Sequence, residues 1–163
     1  MNIKRKICNS KKKLNICLVC SSGGHLIQCY NLSSWWEKYK HFWITFDKID
    51  AKSILSTEKD VIYGFYPTNR NIFNLFRNLI LAFKVLTKKR PNVIFSTGAG
   101  IAIPFFLIGK IIGAKLIYLE VYDRIDSPTI TGKVLYPIVD LFLIQWKEQK
   151  KYYPKARLWG QAL

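Results

Sequence analysis

The chain carries the stretch Val19-Cys20-Ser21-Ser22-Gly23-Gly24-His25-Leu26 at the end of an apolar run, and a helical pattern follows it. Two glycines therefore lie where a strand turns into a helix. Backbone N–H groups at a helix start carry partial positive charge, and glycine lets a ligand approach the backbone closely. The stretch predicts a phosphate-binding turn formed by Ser22, Gly23 and Gly24, with the titratable His25 at its mouth. The alternative is a tight turn that carries a hydrogen-bonded histidine.

A second glycine turn follows a later strand. Asn92–Thr97 has the pattern of a strand and Ile101–Ile112 that of a helix, with Gly98, Ala99 and Gly100 between them. Turns after parallel strands of one sheet open on the same carboxyl edge, where open α/β folds bind ligands. We therefore expect this turn to contact substrate beside the first one. Neither turn has the GxGxxG spacing, so a dinucleotide site is disfavoured.

A carboxylate ends the next predicted strand, Lys115–Glu120. Glu120 should therefore lie on the same edge as the glycine turns, where a general base or a hydroxyl-binding group would act. Arg124 follows in a loop, and its positive charge would suit a phosphate group. The alternative for Glu120 is an ion pair with Arg124.

Strand and helix patterns alternate along the chain, which favours an α/β fold built on a parallel sheet. The predicted strands are Leu14–Cys20, His41–Phe46, Asp60–Phe65, Asn92–Thr97, Lys115–Glu120, Val139–Gln145 and Ala156–Trp159. The predicted helices include Leu26–Tyr39, Ala51–Thr57, a long helix up to Lys88, Ile101–Ile112 and Trp146–Tyr152.

The longest predicted helix begins near Thr68 and has apolar residues at the helical period. The positions expected in its core face are Ile72, Leu75, Phe76, Leu79, Phe83 and Leu86. Arg70, Arg77 and Lys84 recur every seven residues along one side, and Phe73 and Ile80 widen the apolar face. A basic stripe beside a wide apolar face is typical of a helix at a membrane interface. The alternative is a buried crossover helix with a solvated edge.

The chain is strongly basic. Its 163 residues include 26 Lys and Arg against 10 Asp and Glu, a formal net charge of +16, and 50% are hydrophobic. One globular domain with an acidic partner fits this composition, either a phosphorylated substrate or an anionic membrane. The basic residues 1–13 are predicted to be a solvated arm or a lipid-facing anchor. No recognised nucleic-acid module accompanies the charge, so we expect no nucleic-acid partner.

The cysteines do not have the pattern of a metal site. Cys17 and Cys20 lie within one predicted strand, and no second CxxC or HxxxH completes a zinc set. We expect buried structural thiols in a reducing cytosol, with no metal. No uncharged apolar stretch reaches ~18 residues, so no membrane-spanning helix is expected.

Several motifs occur together along the chain, namely Ser21–His25, Ser96–Pro104, Glu120 with Arg124, Ser127–Pro137, Tyr153–Ala156 and Trp159-Gly160. In this order they resemble the PssD-type bacterial polysaccharide glycosyltransferase subunits. These subunits are similar to the membrane-recruiting subunit of the eukaryotic two-part transferase that adds the second N-acetylglucosamine to dolichol-pyrophosphate. More distantly, the pattern resembles the N-terminal half of MurG, the GT-B peptidoglycan N-acetylglucosaminyltransferase.

The resemblance implies half of a split enzyme. Residues 14–163 would form a Rossmann-like acceptor-binding domain with helices on both faces of a parallel sheet, and a partner subunit would bind the UDP-sugar. The acceptor would be a sugar linked to polyprenyl pyrophosphate, used in capsule or exopolysaccharide synthesis. The expected location is the cytoplasmic face of the cell membrane, with peripheral attachment.

The resemblance also implies inverting sugar transfer that needs no cofactor. An acceptor hydroxyl would attack the anomeric carbon while UDP leaves, with His25 as the first candidate for the general base and Glu120 as the second. The two glycine turns would hold the acceptor pyrophosphate. The alternative function is a non-catalytic membrane scaffold for the catalytic partner.

Overall fold

The structure, a computed structural model, describes residues 14–68 and 71–160. The predicted basic arm 1–13 and the predicted membrane residue Arg70 lie outside the described residues. The strands are β1 Asn15–Cys20, β2 Lys40–Phe46, β3 Val61–Gly64, β4 Val93–Gly98, β5 Lys115–Leu119, β6 Leu141–Ile144 and β7 Arg157–Leu158. They pair in parallel throughout, in the order β3-β2-β1-β4-β5-β6-β7. The predicted strands match these bounds to within two residues at each end.

Helices cover both faces of the sheet, which confirms the predicted α/β, Rossmann-like class. The helices are α1 Gly24–Tyr30, α2 Ser33–Trp36, α3 Ile49–Ile54, α4 Ile72–Lys89, α5 Ala102–Ile111, α6 Ile130–Leu135 and a 3₁₀ helix, Lys147–Lys151. The first face carries α4, α5 and α6, and the second face carries α1, α2 and α3. Among these helices, none combines the length and the apolar character that a membrane crossing requires.

The described cysteines are buried free thiols, as predicted. Cys17 packs in the core of the first face, whereas Cys20 and Cys29 pack in the core of the second face. Burial raises the pKa of the Cys17 and Cys29 thiols well above the ordinary value. Because Cys17 and Cys20 lie on opposite sides of the sheet, they cannot act together as a redox pair.

The predicted helix Leu26–Tyr39 is wrong, because the chain forms two short helices, α1 and α2, in its place. The indole of Trp36 is buried, and its Nε1 donates to the carbonyl of Cys29 at 3.0 Å. In a continuous helix this carbonyl would accept from the backbone N–H four residues later. The chain instead turns at Asn31 and Leu32, which lets Trp36 enter the core.

The buried side of α4 is polar at its start. Asn78 is buried, accepts from the Phe65 N–H at 2.9 Å and donates to the Phe65 carbonyl at 2.9 Å. Asn74 donates to the Pro67 carbonyl at 2.9 Å. Both asparagines therefore bind the backbone of the segment between β3 and α4 and are themselves buried.

Part of the apolar surface of α4 faces outward. Ile72, Phe76 and Phe83 are exposed, so their prediction as core residues is wrong, whereas Leu86 is buried as predicted. The alternative of a crossover helix with a solvated edge is supported in part, because Ala82 and Leu86 are buried and Leu79, Leu81 and Val85 pack against the core of the first face. Hydrophobic periodicity located the helix correctly, but it could not show that two asparagines would fix the opposite side against the protein.

Candidate substrate site at the carboxyl edge of the sheet

The two glycine turns meet at one edge of the sheet. β1 lies between β2 and β4, and Cys20 at the end of β1 pairs with Gly98 at the end of β4. The order of the strands reverses between β1 and β4, and open α/β folds bind ligands in the crevice outside such a point. The sequence therefore located the two turns on a common edge correctly.

A cavity of about 560 Å³ opens at this edge, and we call it the edge cavity. The predicted site residues that line it are Ser22, His25, Ala99, Gly100 and Arg124. Lys48, in the loop after β2, and Thr129, before α6, also line it and were not predicted. Lys48 and Thr129 both lie in loops at the carboxyl edge of the sheet. In the sequence, only the predicted strand pattern could have placed these loops beside the glycine turns.

The first glycine turn already holds a carboxylate. The Gly23 N–H donates to Oδ2 of Asp50 at 2.6 Å, and Gly23 has a φ of 79°. A carboxylate from α3 therefore takes the hydrogen bond that was expected to go to a phosphate oxygen. A phosphate that bound the Gly23 N–H would have to displace Asp50.

The second glycine turn requires its first glycine. Gly98 has a φ of 117°, a backbone conformation that side chains rarely adopt, and Ala99 follows with a φ of 77°. The backbone of Gly100 lies against Thr68, since a Cβ at this position would come within 3.0 Å of the Thr68 Oγ1. Thr68 thereby brings the segment before α4 into the wall of the edge cavity.

Hydrogen bonds fix His25 and determine its proton position. Nδ1 of His25 lies 2.9 Å from the carbonyl oxygen of Thr97, and a carbonyl can only accept. Nδ1 of the neutral ring therefore carries the proton, which leaves Nε2 with a free lone pair. The hydroxyl of Thr97 also donates to the backbone carbonyl of His25 at 2.7 Å. Contacts with Thr97 on β4 thus hold His25 at the edge cavity, and Nε2 is the nitrogen of the neutral ring that can accept a proton.

Glu120 is buried and bonded on both carboxylate oxygens. Thr129 donates its hydroxyl to Oε1 at 2.9 Å, Tyr153 donates its hydroxyl to Oε2 at 2.6 Å, and the Val121 N–H donates to Oε1. These partners replace the alternative ion pair with Arg124. The carboxylate holds the loop after β5 from within and does not line the edge cavity.

Tyr118 and Tyr153 surround this carboxylate as neutral hydroxyls. Burial, followed by the charge of Glu120, raises the pKa of Tyr118 well above its usual value. Burial and hydrogen bonding to Glu120 also raise the pKa of Tyr153. Both phenols therefore stay protonated at neutral pH, so that Tyr153 can donate to Glu120.

Side chains that follow β6 fix the same loop from outside. Gln145 donates to the Glu120 carbonyl at 2.8 Å, and Gln149 donates to the Arg124 carbonyl at 2.6 Å. Trp146 donates its indole N–H to the Tyr122 carbonyl at 2.7 Å. These bonds hold the backbone of Arg124 in place while its exposed side chain lines the edge cavity.

The parallel sheet, its helical layers and the cavity at the β1–β4 switch point define the class as a Rossmann-like domain of the GT-B type. Acinetobacter baumannii MurG aligns over 81% of this chain with a TM-score of 0.68 and 10% identity. UDP-N-acetylglucosamine 2-epimerase from Rickettsia bellii aligns over 87% with a TM-score of 0.70 and 14% identity. The match covers 41% of each of those two chains. These likenesses show the fold.

The chain belongs to the family described as "Oligosaccharide biosynthesis protein Alg14 like", which matches residues 66–162. The human relative, named UDP-N-acetylglucosamine transferase subunit ALG14, is 26% identical over 184 residues, which cover 94% of this chain and 85% of the relative. The relative of the same name from Schizosaccharomyces pombe is 36% identical over 75 residues, 43% of this chain and 36% of the relative. The curated relatives are thus glycosyltransferase subunits, in agreement with the predicted class of function.

Proposed function

We propose that this chain is the acceptor-binding subunit of a two-part inverting glycosyltransferase and that a separate subunit binds the UDP-sugar. The family membership supports a transferase subunit. The name of the human relative, a transferase subunit, supports a division of labour between chains. Residues 14–163 then form the acceptor domain, and the partner supplies the remaining part of the enzyme.

The reaction that we propose begins at His25. An acceptor hydroxyl attacks the anomeric carbon of the UDP-sugar, the bond from that carbon to UDP breaks, and the hydroxyl proton passes to Nε2 of His25. The observation that carries this proposal is the bond from Nδ1 of His25 to the Thr97 carbonyl, at 2.9 Å, because in the neutral ring it leaves Nε2 as the nitrogen that can accept the proton. Glu120 has its carboxylate occupied by protein donors, so we assign it a positioning role and not that of the base.

The pyrophosphate of the acceptor is proposed to lie in the edge cavity. Lys48 and Arg124 line this cavity, and cationic side chains form strong hydrogen bonds with phosphate oxygens. The turn of Gly98, Ala99 and Gly100 adds backbone at which an anion can approach closely. The bond between Asp50 and the Gly23 N–H makes the second turn the better candidate for the phosphate contact.

The membrane contact is proposed to be the outward side of α4. Phe73 is 73% exposed and Ile80 is 56% exposed, and Arg77 and Lys84 are exposed on the same helix. α5 packs against α4 and adds the exposed Ile111. Exposed apolar side chains flanked by basic ones suit an interface with anionic lipids. A polyprenyl chain could enter the bilayer near the start of α4, close to the edge cavity that Thr68 lines.

The partner subunit is proposed to use an apolar cavity on the second face. This cavity of about 220 Å³ is lined by Leu32, Trp35, Phe95, Ile117, Leu119, Leu141, Leu143 and Trp159. Trp159 is exposed at its rim. An apolar segment of a partner would bury these side chains, and aromatic residues are enriched at such contacts.

The cellular role that we propose is the PssD-type one, in capsule or exopolysaccharide synthesis at the cytoplasmic face of the membrane. The acceptor would be linked to polyprenyl pyrophosphate, and the donor would be a UDP-sugar. The alternative is a scaffold that holds membrane and partner while all chemistry belongs to the partner. In that case His25 would have no effect on the rate.

Native co-purification followed by mass spectrometry tests the proposal. We expect a partner with a UDP-sugar-binding domain, and we expect the complex to transfer sugar from UDP-N-acetylglucosamine to a polyprenyl-pyrophosphate-linked sugar. A chain that purifies without such a partner, or a complex that leaves UDP-sugars untouched in the presence of a panel of lipid-linked acceptors, would contradict the proposal.

A further inference from the structure

A second cavity lies between α1 and the loop that follows β5, and its volume is about 460 Å³. We call it the flank cavity. Gln28, Asn31, Tyr122 and Asp123 line it, and His25 lines both this cavity and the edge cavity. A single ligand that passes His25 could therefore occupy both cavities.

The two cavities differ in charge. The basic residues Lys48 and Arg124 line the edge cavity, and no acidic residue is among its described lining residues. The flank cavity has the reverse character, because Asp123 is the charged residue of its described lining. A phosphate group therefore favours the edge cavity, whereas the carboxylate of Asp123 disfavours an anion in the flank cavity and can accept hydrogen bonds from neutral hydroxyls.

Gln28 supplies a hydrogen-bonding group that lacks a partner. Its side chain is only 7% exposed, and its Oε1 has no hydrogen-bond partner among the residues that the structure describes. Buried amide oxygens are almost always satisfied, so an unpaired one at a cavity needs an explanation. Rotation of the terminal amide would present it to a hydroxyl in the flank cavity. Asn31, one helical turn away, offers a second amide to the same ligand.

The wall of the flank cavity is rigid and partly aromatic. The Tyr122 ring lies 5.0 Å from the Trp146 ring, centre to centre, and the Trp146 indole donates to the Tyr122 carbonyl at 2.7 Å. Ile27 and Val121 add apolar surface. Ligand sites of this kind combine apolar walls with a few placed polar groups. A pyranose matches both, because its ring presents C–H faces and its edge presents hydroxyls.

We propose that the flank cavity binds a neutral pyranose that carries hydroxyl or acetamido groups. The proposal rests on the proposed glycosyl transfer and adds a binding site to it. A sugar in the flank cavity with its pyrophosphate in the edge cavity lies across His25, so that a ring hydroxyl meets Nε2. If the sugar and the pyrophosphate belong to one molecule that spans both cavities, the sugar is that of the acceptor. If the partner subunit delivers the sugar to the flank cavity, it is that of the donor.

Ligand-detected NMR on the full chain tests the proposal without any turnover. The probes are N-acetylglucosamine and inorganic pyrophosphate, each added separately. We expect Asn31→Ala and Gln28→Leu to weaken sugar binding at least tenfold and to leave pyrophosphate binding unchanged. Arg124→Ala should do the reverse. Ser34→Ala, an exposed change on α2, is the matched control and should alter neither.

Two outcomes would overturn the proposal. One is sugar binding that Asn31→Ala and Gln28→Leu leave intact, and the other is the absence of sugar binding to the folded wild-type chain. Asn31 is exposed, so its substitution keeps the test valid even if Gln28→Leu impairs folding. The variants could lose sugar binding while the wild-type complex shows no sugar transfer. This result would support the flank cavity as a sugar site and would contradict only the proposed function.

The source of the sugar is then read from the kinetics of the complex. A rise of at least tenfold in KM for the lipid-linked acceptor in Asn31→Ala, with KM for the UDP-sugar unchanged, identifies the acceptor sugar. The opposite pattern identifies the donor sugar. If neither KM changes in an active complex, the flank cavity has no part in the reaction and the proposal fails.

Discussion

The imidazole of His25 lies in the space that a side chain at Gly98 would need. A Cβ at Gly98 would come 3.0 Å from Cε1 and 3.1 Å from Nδ1 of His25. Thr97, the residue before Gly98, also orients the imidazole, since its carbonyl oxygen forms a hydrogen bond with Nδ1 of His25. The second glycine turn thus has a function beyond its own conformation, because it makes room for the histidine of the first turn.

Gly98→Ala should therefore impair catalysis, measured as kcat, more than it impairs folding, measured as the free energy of unfolding. The new methyl group would push the imidazole away from Thr97, and the φ of 117° adds backbone strain of about 1–3 kcal/mol. Thermal unfolding and kcat of the complex measure the two effects. Gly113→Ala is the matched control, because Gly113 has a φ of 79° but open space at its Cβ. Equal rates in the two variants would show that the contact with His25 is unimportant.

His25→Gln should lower kcat by ~10²–10⁴-fold, because a general base of this kind contributes that much to the rate. KM for both substrates should change little. The control is His41→Gln, which removes the other histidine and its 2.9 Å contact with Glu58 far from the glycine turns. A normal kcat in His25→Gln, with the complex intact, would support the scaffold alternative.

Glu120→Gln should destabilise the fold by roughly 2–4 kcal/mol, since the amide would turn an N–H₂ group toward donors that now serve a carboxylate. Tyr153→Phe removes the 2.6 Å bond to the same carboxylate and should have a smaller effect of the same sign. Denaturant unfolding of the two variants measures the difference. A Glu120→Gln variant with wild-type stability and no activity would instead mark Glu120 as a catalytic residue.

Phe76→Ser with Phe83→Ser should weaken binding to anionic vesicles about tenfold or more, because both rings are exposed on α4 and would leave the lipid interface. Lys84→Glu should weaken it as well, with an effect that salt reduces. Vesicle co-sedimentation measures both. Ile49→Ser is the control, because Ile49 is 89% exposed but lies on α3, at the second face. An equal loss in this control would show that the contact is not specific to α4.

Stability should decline at alkaline pH. The raised pKa values of Tyr118 and Tyr153 mean that the folded chain keeps these protons while the unfolded chain releases them near pH 10. The contribution is fully present below about pH 10 and is lost as the pH rises above it. Urea unfolding at a series of pH values measures the slope, and Tyr153→Phe should make it shallower. An unchanged slope in this variant would contradict the assignment.

The position of the site could be predicted from sequence because glycine turns after strands are local signals. The turns at Gly23-Gly24 and Gly98–Gly100 follow adjacent strands, and the topology of a parallel sheet brings their ends together. The role of Glu120 could not be predicted in this way. Its hydroxyl partners Thr129 and Tyr153 are nine and 33 residues away in the chain, and nothing local shows that they converge on it.

The orientation of α4 also required the structure. A hydrophobic pattern assigns the apolar side of a helix to the core. Asn74 and Asn78 depart from this rule in the first half of α4, because their amides satisfy backbone groups that would otherwise be buried without partners, whereas Ala82 and Leu86 follow the rule. Lys48 could not be predicted as a site residue for a related reason. A single lysine in a loop becomes informative only when the structure shows that the loop lies beside the glycine turns.

Asn74 of α4 joins two regions of the molecule, the exposed side of α4 and the wall of the edge cavity. Asn74 donates a hydrogen bond to the carbonyl of Pro67, the residue before Thr68. Thr68 lines the edge cavity and lies against the backbone of Gly100. If α4 lies on a lipid bilayer as proposed, these contacts connect the membrane-facing helix to the wall of the edge cavity. Membrane contact and the shape of the proposed acceptor site would then depend on the same contacts.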